Sequence, residues 1–500
     1  MQSGKSGPGR SSPRVPLGIE GLDDVLGGGI TPDRLYLLEG SPGTGKTTLA
    51  LQFLLHGAAR GEACLYITLS ETADELRAVA DTHGWSLDDL TIFEMVSEEE
   101  MEAEAEQSIL HPAEVELGET TNRIIAEVQR LQPKRVVFDS LSELRLLAQH
   151  PLRYRRQILG LKQFFSRCAC TVLMLDDRTS DPADLQLHSI AHGVITLEQS
   201  PRDFGAERRR LRIVKMRGIK FRGGYHDFEL NTGGLIVYPR LVAADHRSTG
   251  TPAVVSTGLA ELDALLGGGL MPASNTLLMG PSGVGKTTTA VSCMLAALHR
   301  GEACTYFLFD EGLTTLRMRS AALGMDLQPH LDCGRLTLLP IDPAELSPGE
   351  FVHRVRTAVE VEGTSFIVID SLNAYLQAMP GERFLLLQMH ELLNYLNQKS
   401  VTTLLILGQH GLVGEMRSDL DLSYLSDTIL LFRFFECRGE LLTAASVVKS
   451  RTTAHERTIR EFKLGPSGLR VGPALSDFQG VMSGLPTYRG AEPLLESEDR

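Results

Sequence analysis

Gly40-Ser41-Pro42-Gly43-Thr44-Gly45-Lys46-Thr47 and Gly280-Pro281-Ser282-Gly283-Val284-Gly285-Lys286-Thr287 decide how this chain is read. Both stretches fit Gly-x-x-x-x-Gly-Lys-Thr. Glycines in such a loop let successive backbone N–H groups curl around phosphate oxygens. The lysine reaches the β- and γ-phosphates, and the threonine hydroxyl holds Mg²⁺. Thr48 and Thr288 follow directly and complete the two candidate ATP-binding segments. One match in a long chain is a moderate signal. Two matches in the same surroundings predict two nucleoside-triphosphate sites.

The surroundings do repeat. Leu22-Asp23 and Gly27-Gly28-Gly29 precede the first loop, as Leu262-Asp263 and Gly267-Gly268-Gly269 precede the second. Gly61-Glu62-Ala63-Cys64 follows one, and Gly301-Glu302-Ala303-Cys304 the other. The chain therefore reads as a duplicated domain. The offset between copies is 240 from Lys46 to Lys286, 231 from Asp139 to Asp370 and 234 from Lys215 to Lys449. The first copy thus carries extra residues before Asp139, expected in the Glu-rich stretch between Glu94 and Glu119.

Local patterning assigns the motifs to elements. Leu35–Glu39 and Thr276–Met279 are short apolar runs feeding the glycine loops. Helical apolar spacing follows over Thr47–Ala59 and Thr287–His299, so each phosphate would sit at a helix N-terminus. Arg135–Phe138 and Phe366–Ile369 are continuous apolar runs that suit parallel strands buried on both faces. The expected fold class is α/β, with a mostly parallel twisted sheet flanked by helices in each copy. Those two strands end in Asp139-Ser140 and Asp370-Ser371. An acidic residue there, beside a phosphate loop, is the expected Mg²⁺-linked aspartate, so Thr47, Asp139, Thr287 and Asp370 form the candidate metal set. Capping of the next helix is the bland alternative. A further carboxylate must orient or deprotonate the attacking nucleophile. Glu71, after Leu65–Ser70, and Asp310-Glu311, after Tyr306–Phe309, are the candidates.

Composition narrows the class. Five hundred residues suit two globular domains, and a formal net charge of −14 argues against a binder of nucleic acid that relies on bulk positive charge. No apolar run of about 18 residues predicts a membrane span, and the N-terminus lacks a signal-peptide core. Seven scattered cysteines without a Cys-x-x-Cys pair read as core thiols of a cytoplasmic protein, with Cys168-Ala169-Cys170 at the start of a buried strand. The expected organisation is a disordered arm over 1–16, a domain over 17–240, a linker over 241–254, a second domain over 255–472, and a mobile tail over 473–500. The acidic run Ser97–Glu106 reads as a solvated helix or loop, and Arg208-Arg209-Arg210 as a charged hairpin or strand start.

Duplicated phosphate loops with later strand-end carboxylates resemble the RecA-like ATPases, and more closely the KaiC family of double-domain ATPases. The resemblance runs from about residue 15 into the tail. It rests on Gly21-Leu22-Asp23 with the triple glycine, both loops, Phe366–Asn373, Asp427–Glu440, Ile459–Phe462 and Phe478–Gly484. It implies two tandem RecA-like P-loop domains and a homo-hexamer of stacked rings, with Mg²⁺-ATP at subunit interfaces. It also implies a Lys-x-Arg supplied to the neighbouring subunit's ATP, which here is Lys215-Met216-Arg217 and Lys449-Ser450-Arg451. Clock members of the family autophosphorylate a Ser-Thr pair in the second ring and engage a small, thioredoxin-like partner of the KaiB type. The matching positions are Ser423 and Tyr424, with Ser426 or Ser418 as alternative phosphoacceptors. A phenol projects its hydroxyl further than threonine, so Ser423 is the better acceptor. The family's Glu-Glu pair is Ser70-Glu71 in the first copy and Asp310-Glu311 in the second. If the missing first carboxylate is the main base, hydrolysis in the first copy is slow or absent, since loss of a general base costs about 10²–10⁴-fold. A nucleic-acid-dependent RecA-like ATPase and an ATP-gated scaffold are the competing readings.

Overall fold

A computed structural model describes residues 13–95, 113–148, 150–177, 186–202, 205–245, 254–377, 384–409, 424–451, 453–465, 468–483 and 486–490. Two compact units emerge, Met1–Arg240 and Leu241–Arg500. Each is built on a sheet of nine strands among the described residues.

In the first unit the strands are β1 (Leu35–Gly40), β2 (Cys64–Thr68), β3 (Thr91–Glu94), β4 (Arg135–Asp139), β5 (Thr171–Asp177), β6 (Gly193–Ser200), β7 (Arg208–Met216), β8 (Tyr225–Asn231) and β9 (Gly234–Tyr238). Their spatial order is β3-β2-β4-β5-β1-β6-β7-β8-β9. Every pairing from β3 to β6 is parallel, and the pairings from β6 to β9 are antiparallel. All residues of β1, β2 and β4 are buried, as expected of strands covered by helices on both faces.

Strand alternation splits the core in two. Leu38, Tyr66 and Val137 face the helix Lys46–Ala58, packing with Leu49, Phe53 and Leu54. Leu37, Ile67 and Phe138 point the other way, to Ile158 and Phe165 of the helix Pro151–Arg167. This is the two-residue side-chain period of a strand.

The second unit repeats the plan. Its strands are β10 (Asn275–Gly280), β11 (Cys304–Leu308), β12 (Leu336–Pro340), β13 (Phe366–Asp370), β14 (Thr402–Gly408), β15 (Thr428–Cys437), β16 (Glu440–Ser450), β17 (Arg460–Gly465) and β18 (Gly468–Ala474). The order is β12-β11-β13-β14-β10-β15-β16-β17-β18. Because the central strands are parallel, the ends of β1, β2, β4 and β5 share one sheet edge, as do those of β10, β11, β13 and β14. Such an edge is where open α/β sheets bind ligands.

The triple glycines now have a physical reason. Gly29 has φ +113° and lies against the strand bridge Val15–Ile30, where a Cβ would meet the Val15 carbonyl oxygen at 2.3 Å. The second unit repeats the bridge as Val255–Leu270.

The offset is explained as well. From Thr91 to Arg135 is 44 residues, and from Leu336 to Phe366 is 30, so the first unit's surplus falls between its third and fourth strands. The helix Ala113–Leu131 takes up part of it; the acidic run Ser97–Glu106 lies outside the described residues.

Four boundary expectations are corrected. Val15 is bridged to Ile30, so the end of the arm placed over 1–16 is part of the first unit. Leu241 and Ala243 are buried in the second unit's core, and the Ala243 N–H donates to Glu391 Oε2 at 3.2 Å, so the linker placed over 241–254 begins as packed structure. The tail expected to be mobile packs back as far as residue 490: Phe478 meets Phe435 and Tyr488 edge to face, and Val481 is buried beside Ala444. Cys168 does not start a strand but ends the helix Pro151–Arg167. Ala169 then turns at φ +54°, and β5 begins at Thr171.

Candidate functional site

Each phosphate loop connects a buried strand to a helix whose preceding glycine, Gly45 or Gly285, is left-handed. Lys46 and Lys286 are both 8% exposed despite their charge. The Lys46 ammonium donates to Gly40 O at 2.9 Å and Ser41 O at 3.1 Å. Lys286 donates to Gly280 O at 2.8 Å and Pro281 O at 2.6 Å. Burial brings Lys286 down to about 8, with Asp370 opposing the shift.

The strand-end aspartates stand beside these loops. Thr287 Oγ1 donates to Asp370 Oδ2 at 2.8 Å, and the Tyr306 hydroxyl donates to the same oxygen at 2.7 Å. In the first unit Tyr66 donates to Asp139 Oδ2 at 2.6 Å, and the Thr47 side chain is a hydrogen-bond partner of Tyr66. Burial pushes both aspartates up. The tyrosine hydrogen bonds oppose this, as do Lys46 beside Asp139 and Lys286 beside Asp370. A threonine hydroxyl and a carboxylate are hard oxygen donors of the kind Mg²⁺ takes together with phosphate oxygens. The residues present therefore fit a magnesium-bound triphosphate.

The second unit's site opens into a cavity of about 740 Å³. It is lined by Lys286, Thr287, Asp310, Glu311, Arg319 and Asp370, among others, with Leu323 and Leu464 as apolar walls. Such a volume suits a nucleotide-sized ligand.

The catalytic candidates divide by environment. In the second unit the Ser371 hydroxyl donates to Asp310, and Glu311 pairs with Arg319 at 2.8 Å. Glu311 is nonetheless raised, by burial first, with Arg319 opposing and Asp370 adding to it. In the first unit Ser70 replaces Asp310, and Val79 stands 240 residues before Arg319. Glu71 Oε2 is buried without a hydrogen-bond partner among the described residues. Burial, then repulsion from Asp139, Glu75 and Asp177, pushes Glu71 up to about 7 against the pull of Lys46.

Sequence reading missed several members of the site. Tyr66 and Tyr306 stand 240 residues apart, so the repeat itself signalled them. Asp177 carried no signal. Register pairs it with Gly40, and its carboxylate lies 2.7 Å from Lys46 Nζ. The second unit puts Gly408 opposite Gly280 instead, and Gly408 exchanges hydrogen bonds with Asn373. Arg319 has no counterpart in the first copy, which hid it.

The two Lys-x-Arg pairs lie at the ends of β7 and β16. Lys215 donates to Ala191 O at 2.8 Å, and Arg217 to Ser189 O at 3.0 Å. Lys449 donates to Ser426 O at 2.7 Å, and Arg451 to Tyr424 O at 3.4 Å. Of the phosphoacceptor candidates, Ser423 and Ser418 lie outside the described residues. Ser426 is 0% exposed and Tyr424 48% exposed. The arginine run is a strand start: Arg208 is buried, and Arg210 and Arg212 lie over the Tyr225 ring.

Comparison with known proteins agrees with the duplicated geometry. The family described as "ATPase: KaiC" matches residues 15–242 and again 255–476. Among curated proteins, the circadian clock oscillator protein KaiC of Acaryochloris marina is 27% identical over 94% of this chain and 90% of its own. The protein of the same name from Parathermosynechococcus lividus is 25% identical over 96% and 89%. That of Synechococcus elongatus is 25% identical over 94% and 91%. No helix among the described residues is long and apolar enough to cross a membrane. With the family matched along both repeats, and a phosphate loop, a strand-end aspartate and a nearby carboxylate built into each, this chain belongs to the KaiC family of ATPases.

Proposed function

We propose that the chain is a cytoplasmic Mg²⁺-ATP hydrolase that assembles as a hexamer and phosphorylates itself in its second unit, acting as a signalling or timing switch. The observation that carries this is the convergence of Thr287, Tyr306 and Asp370 beside Lys286, in a cavity that also holds Asp310 and Glu311. Lys46 and Lys286 would leave the loop carbonyls for the β- and γ-phosphates. Thr47 with Asp139, and Thr287 with Asp370, would hold Mg²⁺, which when bound neutralises charge on the transferring phosphoryl group. Glu71 is the base for water in the first unit. Asp310 and Glu311 serve the second, Asp310 being the carboxylate without a cationic partner among the described residues.

Lys215 and Arg217, and Lys449 and Arg451, act on the neighbouring subunit's ATP, because cations supplied in trans offset developing phosphoryl charge. Ser423 is the phosphoacceptor. Burial disfavours Ser426, and the longer reach of a phenol disfavours Tyr424. An added phosphate brings about −1.5 to −2 charge, enough to reset an interface read by a small KaiB-like partner. The relatives' name, circadian clock oscillator protein, supports a circadian role, which this reading extends to the chain.

The test is incubation with Mg²⁺ and γ-labelled ATP, followed by phosphopeptide mass spectrometry. Label in residues 418–426 that is lost in Lys286→Ala is expected. Lys449→Ala should keep ATP binding and lose label. ADP release without stable label would refute the autokinase and leave an ATPase.

A further inference from the structure

Just before the first phosphate loop, β1 carries a carboxylate that its repeat lacks. Glu39 precedes Gly40, and the same place before Gly280 is held by Met279, which packs against the second unit's core. A sheet that accepts methionine there does not need a charge, and burying one costs free energy unless it is paired. Glu39 is buried, and its pair is His188 of the short helix Gln186–Ile190, whose Nε2 lies 2.6 Å from Glu39 Oε1. Glu39 Oε2 is buried with no hydrogen-bond partner among the described residues. Asp176, opposite Glu39 in the strand register, is taken by Arg145 at 3.0 Å and Ser142 at 3.3 Å. His188 is therefore the partner of Glu39 alone.

A carboxylate only accepts, so the imidazole faces it with Nε2–H. That tautomer leaves the ring's lone pair on Nδ1, which has no hydrogen-bond partner among the described residues. The His188 side chain keeps 24% of its surface exposed, so a reactant can reach it. An imidazole held by a buried carboxylate is a nucleophile with its counter-charge already in place.

The backbone of His188 has a second tie. Its carbonyl accepts from Lys215 Nζ, and the Ser189 carbonyl accepts from Arg217 Nη2 at 3.0 Å. These are the cations assigned above to the neighbouring copy's ATP, so His188 stands on the turn that they gather. The second unit repeats two of the bonds. Lys449 donates to Ser426 O as Lys215 does to Ala191 O, and Arg451 to Tyr424 O as Arg217 does to Ser189 O. Ser189 thus corresponds to Tyr424. By sequence alone, the residue before each is His188 in one unit and Ser423, outside the described residues, in the other.

We propose that His188 is a phosphoacceptor of the first unit, taking the γ-phosphoryl group of the ATP held by a neighbouring copy and becoming phosphohistidine. The inference rests on the trans reading above and adds a nucleophile to it. The Nδ1 lone pair forms a bond to the γ-phosphorus. The bond from that phosphorus to the β,γ-bridging oxygen breaks, and its electron pair leaves with ADP. The ring gains positive charge as the N–P bond forms, and Glu39 offsets that charge through the Nε2 proton. Glu39 is thus a positioning residue. The attacking nitrogen carries no proton, so the transfer does not call on Glu71.

The experiment uses the full chain carrying Lys286→Ala, with Mg²⁺ and γ-labelled ATP. An N–P bond is labile in acid and stable in alkali, the reverse of phosphoserine, so label is scored after each treatment and located by mass spectrometry. Acid-labile label on His188, lost in His188→Gln, is expected. Glu39→Met installs the second unit's residue, and Glu39→Gln keeps the shape. Each should lower the labelling rate at saturating ATP about tenfold, with half-saturating ATP unchanged; an unchanged rate in both would overturn the role of Glu39. A tagged Lys46→Ala/Lys286→Ala chain is then co-assembled with His188→Gln/Lys286→Ala, and mixed rings are purified through the tag. Label should sit on the tagged chain, whose His188 only a neighbour's ATP can serve. Label in the parent but not in the mixed rings would overturn transfer between copies. Should the parent acquire no acid-labile label while Lys215→Ala still lowers its phosphate release, the inference falls and the trans reading stands. Should Lys215→Ala leave phosphate release unchanged, the trans reading falls and takes the inference with it.

Discussion

Glu71 and Glu311 occupy the same place in the two repeats, yet their surroundings predict different pH behaviour. Glu311 has Arg319 at 2.8 Å, whereas Glu71 has a buried oxygen without a partner among the described residues and is pushed up to about 7. Only the ionised carboxylate can accept the proton of an attacking water. The profile of kcat/KM reports ionisation in the free enzyme. With a midpoint near 7, the ionised fraction is about one tenth at pH 6 and about nine tenths at pH 8, so kcat/KM of the first unit should rise roughly ninefold between them and then level. The assay is phosphate release by the Lys286→Ala chain, corrected with a Lys46→Ala/Lys286→Ala background. Glu71→Gln should cost about 10²–10⁴-fold at pH 8, or about 3–5 kcal/mol of barrier. Val79→Arg imports the second unit's cation, and an opposite charge within about 4–6 Å lowers a carboxylate pKa by about 1–3, so its midpoint should move toward acid. A flat profile in the parent chain, or wild-type turnover in Glu71→Gln, refutes Glu71 as the base.

Three further outcomes follow from the same geometry. Asp177→Asn removes the carboxylate that holds Lys46 at 2.7 Å. The freed lysine should tighten ADP binding at the first site about fivefold, roughly 1 kcal/mol, by equilibrium dialysis; unchanged or weaker binding would show that Asp177 does not compete with phosphate. Tyr306→Phe deletes the 2.7 Å hydrogen bond to the half-buried Asp370. A bond to a charged group is worth about 1.5–3 kcal/mol, so the urea midpoint should fall with an unchanged slope, and no shift would contradict the assignment. Gly29→Ala puts a Cβ 2.3 Å from the Val15 carbonyl at φ +113°. Destabilisation of at least about 1–3 kcal/mol should appear as a lower Tm, and an unaltered Tm would mean that the bridge yields freely.

The legible part of this protein was what repeats. Both phosphate loops, the aspartates ending β4 and β13, and the carboxylates after β2 and β11 recur at near-constant offset in local contexts that local physics can read. Continuous apolar runs force buried parallel strands, glycine-rich turns follow them, and amphipathic helices come next. Those strands being parallel, their carboxyl ends must meet at one edge, and so the motifs meet too. Tyr66 and Tyr306 were legible in principle and went unread, because a tyrosine inside an apolar strand looks like core until its hydroxyl is seen to reach Asp139 or Asp370. The packed ends of the linker and tail stayed hidden for a similar reason: Leu241 and Val481 are apolar residues in polar stretches, and only a partner surface decides whether such residues are buried.

What the sequence by itself determined is the pair of nucleotide loops and the sheet that carries them, since both follow from neighbours along the chain. What only the tertiary structure decided is how the two sites differ. Asp177 meets Lys46 through strand register, Arg319 meets Glu311 across a helix, and His188 meets Glu39 from 149 residues along the chain. Charge interactions act through space, are strongest between groups a few ångströms apart, and in salt water are screened over about 8–10 Å. The chemistry of each site is therefore set by which side chains the fold brings together, and motif spacing alone does not contain that information.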